Sequence, residues 1–451
     1  MDADPDNAIV NTTSTTPTLG TPRWRLPGLL LIGMLGASIA HTLIPEVPRV
    51  LAALLAWAAF ALLWPRFGAQ QRAQIVVLIT LGAVGVWWGH TRGVAVDVER
   101  LLGQNQLIIS LLASVTLLRM LKGPLLESEP ELPRGIGTYV RSMFGVHAFA
   151  AVINISALVI MADRLSRFAA LQINQAQLLS RAFTMAAFYS PFIAGVALAL
   201  AYTPGSSWPL LLSFGVPLVL IGFVTLYLYA RLGKVADIDN FRGYPVHFES
   251  LWLPVSLGVA VLVLHAFTPQ YSVLALVTML APVIVISTLT LRGGITHARN
   301  RLGEYVDERL PELAGELALF LSAGVLASGL VAAFATTGGW VPFERLDAQT
   351  ASALLVVMLT VSLIGVHPVI VVSAAAPLLE PINPDPNLLA MVFSMGWGIG
   401  CAVNPLSGTI LALHGRYGIN NWTLARSNFA FGATLCIFAI GLMHTYAWLW
   451  L

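Results

Sequence analysis

Eleven apolar stretches, each about as long as a membrane-spanning helix, recur along the 451 residues of this chain. A helix needs roughly 20 apolar residues to cross about 30 Å of hydrocarbon. Only 10% of the residues are charged, whereas soluble domains carry about 25%. The sequence therefore predicts an all-α polytopic membrane protein. The predicted spans are 27–44, 48–65, 73–90, 106–121, 178–203, 208–230, 250–268, 271–291, 313–336, 387–413 and 428–449.

Two further apolar stretches, 143–162 and 350–380, do not fit a simple count of spans. The second has about 31 residues and contains His367, Pro368 and Pro377, so it is too long for one straight span and too short for two. We expect both to be helical hairpins that enter and leave on the same side of the membrane. With the N-terminal tail inside, this assumption places the basic loops inside as well, as the positive-inside rule requires. The basic residues concerned are Arg66, Arg72, Arg119, Lys122, Arg134, Arg141, Arg164, Arg167, Arg231, Lys234, Arg242, Arg292, Arg299, Arg301, Arg309, Arg416 and Arg426.

Short patterns recur in the same order in the two halves of the chain. Ser190-Pro191 returns as Asn404-Pro405, and Phe144–His147 returns as Ile364–His367 at nearly the same spacing. In the topology that the charges favour, the two halves have opposite orientations. Inverted repeats with interrupted helices are typical of secondary transporters.

The pattern predicts five segments. A polar tail opens the chain and has too few apolar residues to fold, so we expect it to be disordered and cytoplasmic. An extra helix precedes the first repeat, and a cytoplasmic linker separates the two repeats. The boundaries are 1–26 for the tail, 27–47 for the extra helix, 48–232 for the first repeat, 233–249 for the linker and 250–451 for the second repeat.

Two inverted five-helix repeats, each with a re-entrant hairpin before a proline-broken helix, resemble the ion transporter superfamily. That group includes divalent-anion/sodium symporters and related citrate and arsenite carriers. Its symporter branch has a Ser-Asn-Thr signature at each hairpin tip, where this chain has Asn154-Ile155-Ser156 and Ser373-Ala374-Ala375. The resemblance implies a secondary transporter whose hairpin-containing halves move against a fixed scaffold.

The candidate binding site is polar and lies where the predicted helices break. Proline removes a backbone donor, so freed carbonyls could hold a cation and a half-helix N-terminus could hold an anion. Simple proline kinks with packed polar side chains are the alternative. The candidate residues are Asn154 and Ser156 in the first hairpin, Ser190 and Pro191 in the first broken helix, Ser373 in the second hairpin, and Asn404, Pro405, Ser407 and Thr409 in the second broken helix.

His147 and His367 occupy matching places in the recurring pattern. A buried histidine could carry a proton or donate to an anionic substrate, because its pKa lies near working pH. Alternatively, each could bond a backbone carbonyl and stabilise its hairpin. No arginine is predicted in the buried site, so helix ends and neutral hydroxyls are expected to meet the charge of an anion.

The sequence thus predicts a secondary transporter in the inner (plasma) membrane, with its N-terminus in the cytoplasm. Its substrate would be a small organic anion, driven by a sodium or proton gradient, with Na⁺ as a coupling ion and no other cofactor. An inorganic-ion or metalloid-oxyanion exporter and a non-transport membrane assembly protein are the alternatives. We find no catalytic or metal-ligand motif, so the chain is not predicted to be an enzyme. Membrane lipid and a second copy in a homodimer are expected partners, and nucleic acid is not.

Overall fold

The computed structural model describes residues 25–121, 132–167, 169–243, 252–338, 341 and 343–451. Within these ranges the chain forms helices and no β-strand, which confirms the predicted all-α class. Most of the predicted tail and residues 244–249 of the predicted linker lie outside the described residues. The helices are α1 (Arg25–Leu43), α2 (Arg49–Leu63), α3 (Ala69–Thr91), α4 (Val98–Gly103), α5 (Gln106–Leu117), α6 (Ile136–Ile153), α7 (Ile155–Ser166), α8 (Ile173–Thr184), α9 (Ala194–Tyr202), α10 (Trp208–Arg231), α11 (Trp252–Phe267), α12 (Val273–Glu304), α13 (Ala314–Phe334), α14 (Ala348–Leu363), α15 (Pro368–Leu379), α16 (Pro386–Val403), α17 (Gly408–Tyr417) and α18 (Asn421–Trp450).

Nine helical stretches of the described chain are long and apolar enough to cross a membrane, as expected for a polytopic membrane protein. The sequence predicted eleven. The difference arises because α12 and α13 form one continuous run and because the interrupted α8–α9 and the short α11 do not reach the length of a span. Helix α6, predicted as part of a hairpin, is by itself among the nine. Large apolar side chains such as Val84 and Ile437 are exposed on the outer helices, where lipid would cover them.

The closest helix packing joins α3 to α13 and depends on glycine. A Cβ atom added to Gly82 would lie 2.5 Å from the carbonyl oxygen of Val325, and one added to Gly85 would lie 2.4 Å from that of Gly329. Backbones can approach this closely only where side chains are absent. Helix α5 likewise packs against α12. We call α3, α5, α12 and α13 the scaffold.

The two ends of α5 define two faces of the molecule. Helix α5 and the short 3₁₀ turn that follows it extend to Leu121, a rise of roughly 25 Å. We call the end at Gln106 face 1 and the end at Leu121 face 2. A cavity at face 1 contacts the beginning of both α5 and α12, whereas a cavity at face 2 contacts the end of both. The faces therefore lie on opposite sides of the scaffold.

Helices α6 and α7 form a hairpin whose two ends both lie at face 2. The N–H of Gly135, just before α6, donates to the carbonyl oxygen of Phe241 at 3.0 Å, in the segment that follows the long α10. Helix α10 starts at face 1, where Trp208 lines the cavity, and its 24 residues carry the chain to the other face. Asp163, near the end of α7, lines the face-2 cavity. The chain reverses at Asn154, which has a φ of 54°.

Helices α14 and α15 form a second hairpin whose ends both lie at face 1. Ala348 and Ile382 line a single groove at the two ends of this hairpin. Just beyond it, the side chain of Asn387 accepts a 2.7 Å hydrogen bond from the N–H of Ser207, in the loop before α10. Asp347 caps α14, and the backbone N–H of Thr350 holds the pKa of that carboxyl below its ordinary value.

Two interrupted helices, α8–α9 and α16–α17, complete the interior. The first is broken at Ser190-Pro191 and the second at Asn404-Pro405. Helix α9 ends beside the face-1 cavity, which Leu200 and the following alanine line, whereas α17 ends beside the face-2 cavity. The two interrupted helices therefore end at opposite faces.

Candidate functional site

In the first interrupted helix, Ser190 joins the break to the neighbouring hairpin. The Ser190 side chain is buried and its hydroxyl donates to the carbonyl oxygen of Ala151, in the last turn of α6. The same hydroxyl oxygen accepts from the N–H of Phe192 at 3.3 Å. Pro191 follows directly, so the serine caps a segment that has lost helical bonding.

In the second interrupted helix, Asn404 joins the break to the second hairpin. Its fully buried amide donates to the carbonyl oxygen of Val366, in the turn between α14 and α15, at 2.8 Å. Its side-chain oxygen accepts from the N–H of Leu406 at 2.8 Å. The residue before each break proline therefore bonds the tip region of one hairpin and the backbone just after the break. These two residues belong to the recurring dipeptides Ser190-Pro191 and Asn404-Pro405.

The carbonyls freed by the second break already have partners. Pro405 has no N–H to offer the carbonyl of Cys401, which instead accepts from the Ser407 hydroxyl at 2.8 Å. The carbonyl of Ala402 accepts from the Asn428 amide at 2.8 Å. Side chains thus bond the carbonyl oxygens of Cys401 and Ala402, and the N–H end of α17 follows this break.

Four short helices begin inside the protein. They are α7 and α15, the second arms of the hairpins, and α9 and α17, the second halves of the interrupted helices. Their first residues follow Asn154, His367, Ile193 and Ser407, respectively. A helix N-terminus has unpaired N–H groups and the positive end of the helix dipole. The dipoles of all four favour negative charge nearby, and Asn154, His367 and Ser407 each already accept one of the N–H groups.

Contacts connect these helix starts. A Cβ atom on Gly408, at the start of α17, would lie 3.9 Å from the side chain of Ile155, at the start of α7. Trp397 of α16 connects the other two: its ring lies 5.2 Å from that of His367, and a Cβ atom on Gly195 in α9 would be 2.4 Å from it. Trp397 is therefore a wall of the candidate site, although its glycine-rich surroundings suggested only close packing.

The two predicted histidines are not structurally equivalent, so the sequence match between them does not align the hairpins. His147 lies in the middle of α6, where its ring nitrogens contact the Ala182 carbonyl oxygen and the Tyr189 hydroxyl, both at 3.1 Å. His367 instead precedes α15 and accepts from the N–H of Val369 at 3.2 Å. The counterpart of His367, as the residue before the second arm, is Asn154, whose side chain caps α7.

The remaining predicted site residues belong to α17, to α15 and to the first hairpin. Thr409 is buried in the first turn of α17. Ser373 is buried in α15, beyond the hairpin tip, and its hydroxyl accepts from Tyr202 at 3.5 Å. The side chain of Ser156 is outside the described residues.

One tyrosine at the end of each interrupted helix contacts the hairpin in the other half of the chain. Tyr202, the last residue of α9, contacts Ser373 in the second hairpin. Tyr417, the last residue of α17, donates to Asp163 in the first hairpin at 2.7 Å, and Arg416 forms two 2.9 Å bonds with the same carboxylate. We call these the Tyr202 contact and the Tyr417 contact.

The face-2 cavity reaches the tip of the first hairpin. It has a volume of about 590 Å³ and extends from Asp163 and Arg416 to Ile155. Its other wall belongs to the scaffold and includes Arg119 and Glu316. A small molecule at face 2 would therefore have a path to the start of α7.

The face-1 cavity is larger, about 1400 Å³, but reaches neither hairpin. It passes along the end of α9 and the loop that follows, but Tyr202 does not line it; the half-buried Tyr202 contacts Ser373, with Gln104 and Asn105 beside it. The tip of the first hairpin is thus accessible from face 2, and neither hairpin lines the face-1 cavity.

Metal chemistry has no support in the described residues. No group of three His, Cys, Asp or Glu side chains there is arranged to hold a metal ion, and Cys401 and Cys436 are free. Arg181 of α8 is buried, at only 4% exposed, and lines neither of the two cavities.

No protein-family profile matches this chain, and no curated protein is similar to it in sequence. Among solved structures, the chain is similar to the YdaH transporter of Alcanivorax borkumensis, whose topology is described as unusual. The similarity covers 95% of this chain and 87% of that chain at 14% sequence identity, with a TM-score of 0.39. A likeness at this level does not establish function, which has to be inferred from the geometry of the site.

Several residues of this region were not predicted from the sequence. Trp397, Tyr202 and Tyr417 carry no motif, although the spacing of the two tyrosines along the chain is close to that of the two break prolines. This matching spacing is the sequence signal that could have identified the two tyrosines. Arg181 sits in a polar stretch at the start of a predicted span, where an interfacial position was the simpler expectation.

Proposed function

We propose that this protein is a secondary active transporter that carries a small organic anion by alternating access. The observation that carries the proposal is the pairing of interior helix starts, α7 with α17 and α9 with α15 through Trp397, together with a cavity that reaches the start of α7 from face 2. The transporter would lie in the inner membrane with face 2 and the N-terminus in the cytoplasm, since the basic residues around the second cavity favour that side.

The ends of the hairpins and of the interrupted helices support an inverted repeat. The first hairpin starts and finishes at face 2 and the second at face 1, so both would be re-entrant. We propose the repeat boundaries predicted above, 48–232 and 250–451. Non-helical backbone at membrane depth is tolerated where it is buried in protein or lines a cavity, and both breaks meet that condition.

The chemistry of the site favours an anion. The interior starts of α7, α9, α15 and α17 offer N–H groups, while the carbonyls of Cys401 and Ala402 are already bonded. Coupling would use a sodium or proton gradient, and no further cofactor is required. An exporter of inorganic or metalloid oxyanions would use the same helix ends and is the second candidate.

Purified protein in liposomes tests the proposal. Uptake of radiolabelled acetate, succinate, citrate, sulfate and arsenite would be measured under inward sodium or proton gradients. We expect gradient-dependent uptake of at least one carboxylate, whereas uptake of sulfate or arsenite alone would favour the second candidate. Uptake of none of the five would contradict transport of small anions and favour an assembly role.

Two variants link uptake to the site. Ser190→Ala and Asn404→Ala should each reduce uptake at least tenfold, because they release a hairpin tip from its break. Ser213→Ala and Thr434→Ala are matched controls, since both exposed hydroxyls bond only a carbonyl of their own helix. Normal uptake in both site variants would refute the assignment.

A further inference from the structure

Arg181 is a buried positive charge held entirely by neutral groups. Its Nε donates to the side-chain oxygen of Asn428 and an Nη to the carbonyl oxygen of Ser427, both at 2.7 Å. Its guanidinium also lies 5.9 Å from the ring centre of Tyr229 and 5.7 Å from that of Phe431. These contacts satisfy hydrogen bonds but supply no negative charge.

No ion pair within the described part of the chain includes Arg181. The residue lies eight positions after the start of α8, about 12 Å into the helix. An arginine stays charged in a protein interior, and a buried charge without a counter-charge is costly. Such residues in membrane proteins mark substrate or ion sites by default.

The position of Arg181 connects it to both breaks. Ala182, the next residue, bonds His147 of the first hairpin, and α8 runs directly into the break at Ser190. Asn428, which holds Arg181, also donates to the carbonyl of Ala402, two residues before the second break. Arg181 is therefore linked to both breaks through its hydrogen-bond partners, and it lines neither of the two cavities.

We infer that Arg181 is the fixed charge that makes the site selective for anions, an inference that rests on the proposed transport function. It acts on a bound anion through its field and adds to the helix dipoles, without touching the substrate. A bound monoanion would cancel the charge, so the loaded site would carry no net charge across the membrane. Arg181 is thus a positioning and selectivity residue.

If Arg181 only ties α8 to α18 and its field does not reach the site, removing its charge leaves the electrostatic potential at the hairpin tip unchanged. That potential can be read without a substrate. With Cys401 and Cys436 replaced by serine, a single cysteine introduced at Ile155 lines the face-2 cavity. The ratio of its labelling rates with the anionic sulfonatoethyl and the cationic trimethylammonioethyl methanethiosulfonate reports the local potential.

We expect Arg181→Gln to lower this anion-to-cation ratio by on the order of 5- to 10-fold, and Arg181→Lys to leave it nearly unchanged. A cysteine at Thr42, in the face-1 cavity, is the control position and should show no change. If Arg181→Gln fails to fold, Asn428→Asp places a carboxylate against Arg181 and should lower the ratio similarly.

An unchanged ratio in these variants, or an equal fall in Arg181→Lys, would overturn the role of Arg181. Because the measurement needs no substrate, this outcome is separate from the transport proposal. A failure of all five anions in the liposome assay would overturn transport alone.

Discussion

The Tyr202 contact and the Tyr417 contact occupy corresponding places but differ in chemistry and access. The first joins two neutral hydroxyls at 3.5 Å, and neither of its residues lines the face-1 cavity. The second combines a tyrosine with the ion pair between Asp163 and Arg416 and borders an open cavity at face 2. The two contacts therefore differ in their access to the neighbouring cavity.

The largest expected effect comes from a pair of glycines at corresponding places in the two halves. A Cβ atom at Gly195 would overlap the ring of Trp397, whereas one at Gly408 would make an ordinary 3.9 Å contact with Ile155. We expect Gly195→Ala to destabilise the protein by about 1–3 kcal/mol, and Gly408→Ala by less than about 0.5 kcal/mol. Unfolding in mixed micelles measures both, and equal losses would contradict the asymmetry of the two halves.

The next effect concerns the residues before the break prolines. Asn404→Ala leaves the Val366 carbonyl and the Leu406 N–H without partners, at a cost of about 1–3 kcal/mol in the free energy of unfolding. Ser190→Ala should cost less, because the Phe192 N–H bond that it removes is long, at 3.3 Å. Ser213→Ala is the control. If Ser190→Ala lowered the free energy of unfolding more than Asn404→Ala, the expected order of the two breaks would be contradicted.

A smaller change should follow removal of the tyrosine hydroxyls. Tyr202→Phe removes the hydrogen bond to Ser373, so a cysteine at the neighbouring position 374 should be labelled from face 1 several-fold faster. Tyr417→Phe should leave this rate unchanged, because its partner Asp163 lies at the other face. Equal acceleration by both variants would indicate general loosening rather than opening of one path.

The smallest effect is expected for the ion pair at face 2. Arg416 and Asp163 have half-exposed side chains, so Asp163→Asn should cost less than about 1 kcal/mol of stability, and less at high salt. Unfolding at low and high ionic strength measures this, with Glu304→Gln as the matched control in another exposed pair. A loss well above the range of exposed ion pairs would mean that the Tyr417 contact depends on charge.

Local patterns predicted the helical elements well, because apolar length and proline breaks are properties of single segments. The break pairs Ser190-Pro191 and Asn404-Pro405 each proved to bond a hairpin tip.

Tertiary contacts were harder to predict. His147 and His367 match in sequence but not in place, because a four-residue pattern does not fix where a hairpin turns. Arg181 was missed because its neutral partners, Ser427 and Asn428, lie in the other half of the chain.

The central claim is that the two hairpins are re-entrant from opposite sides, and the sidedness of their exits tests it most directly. With Cys401 and Cys436 replaced by serine, single cysteines would be placed at the exposed Gln172 and Glu380, just beyond α7 and α15. A membrane-impermeant thiol reagent would then be applied to intact cells. We predict labelling at position 380 but, at position 172, labelling only after lysis. Labelling of both positions in intact cells, or of neither, would contradict the inverted arrangement and the transport mechanism built on it.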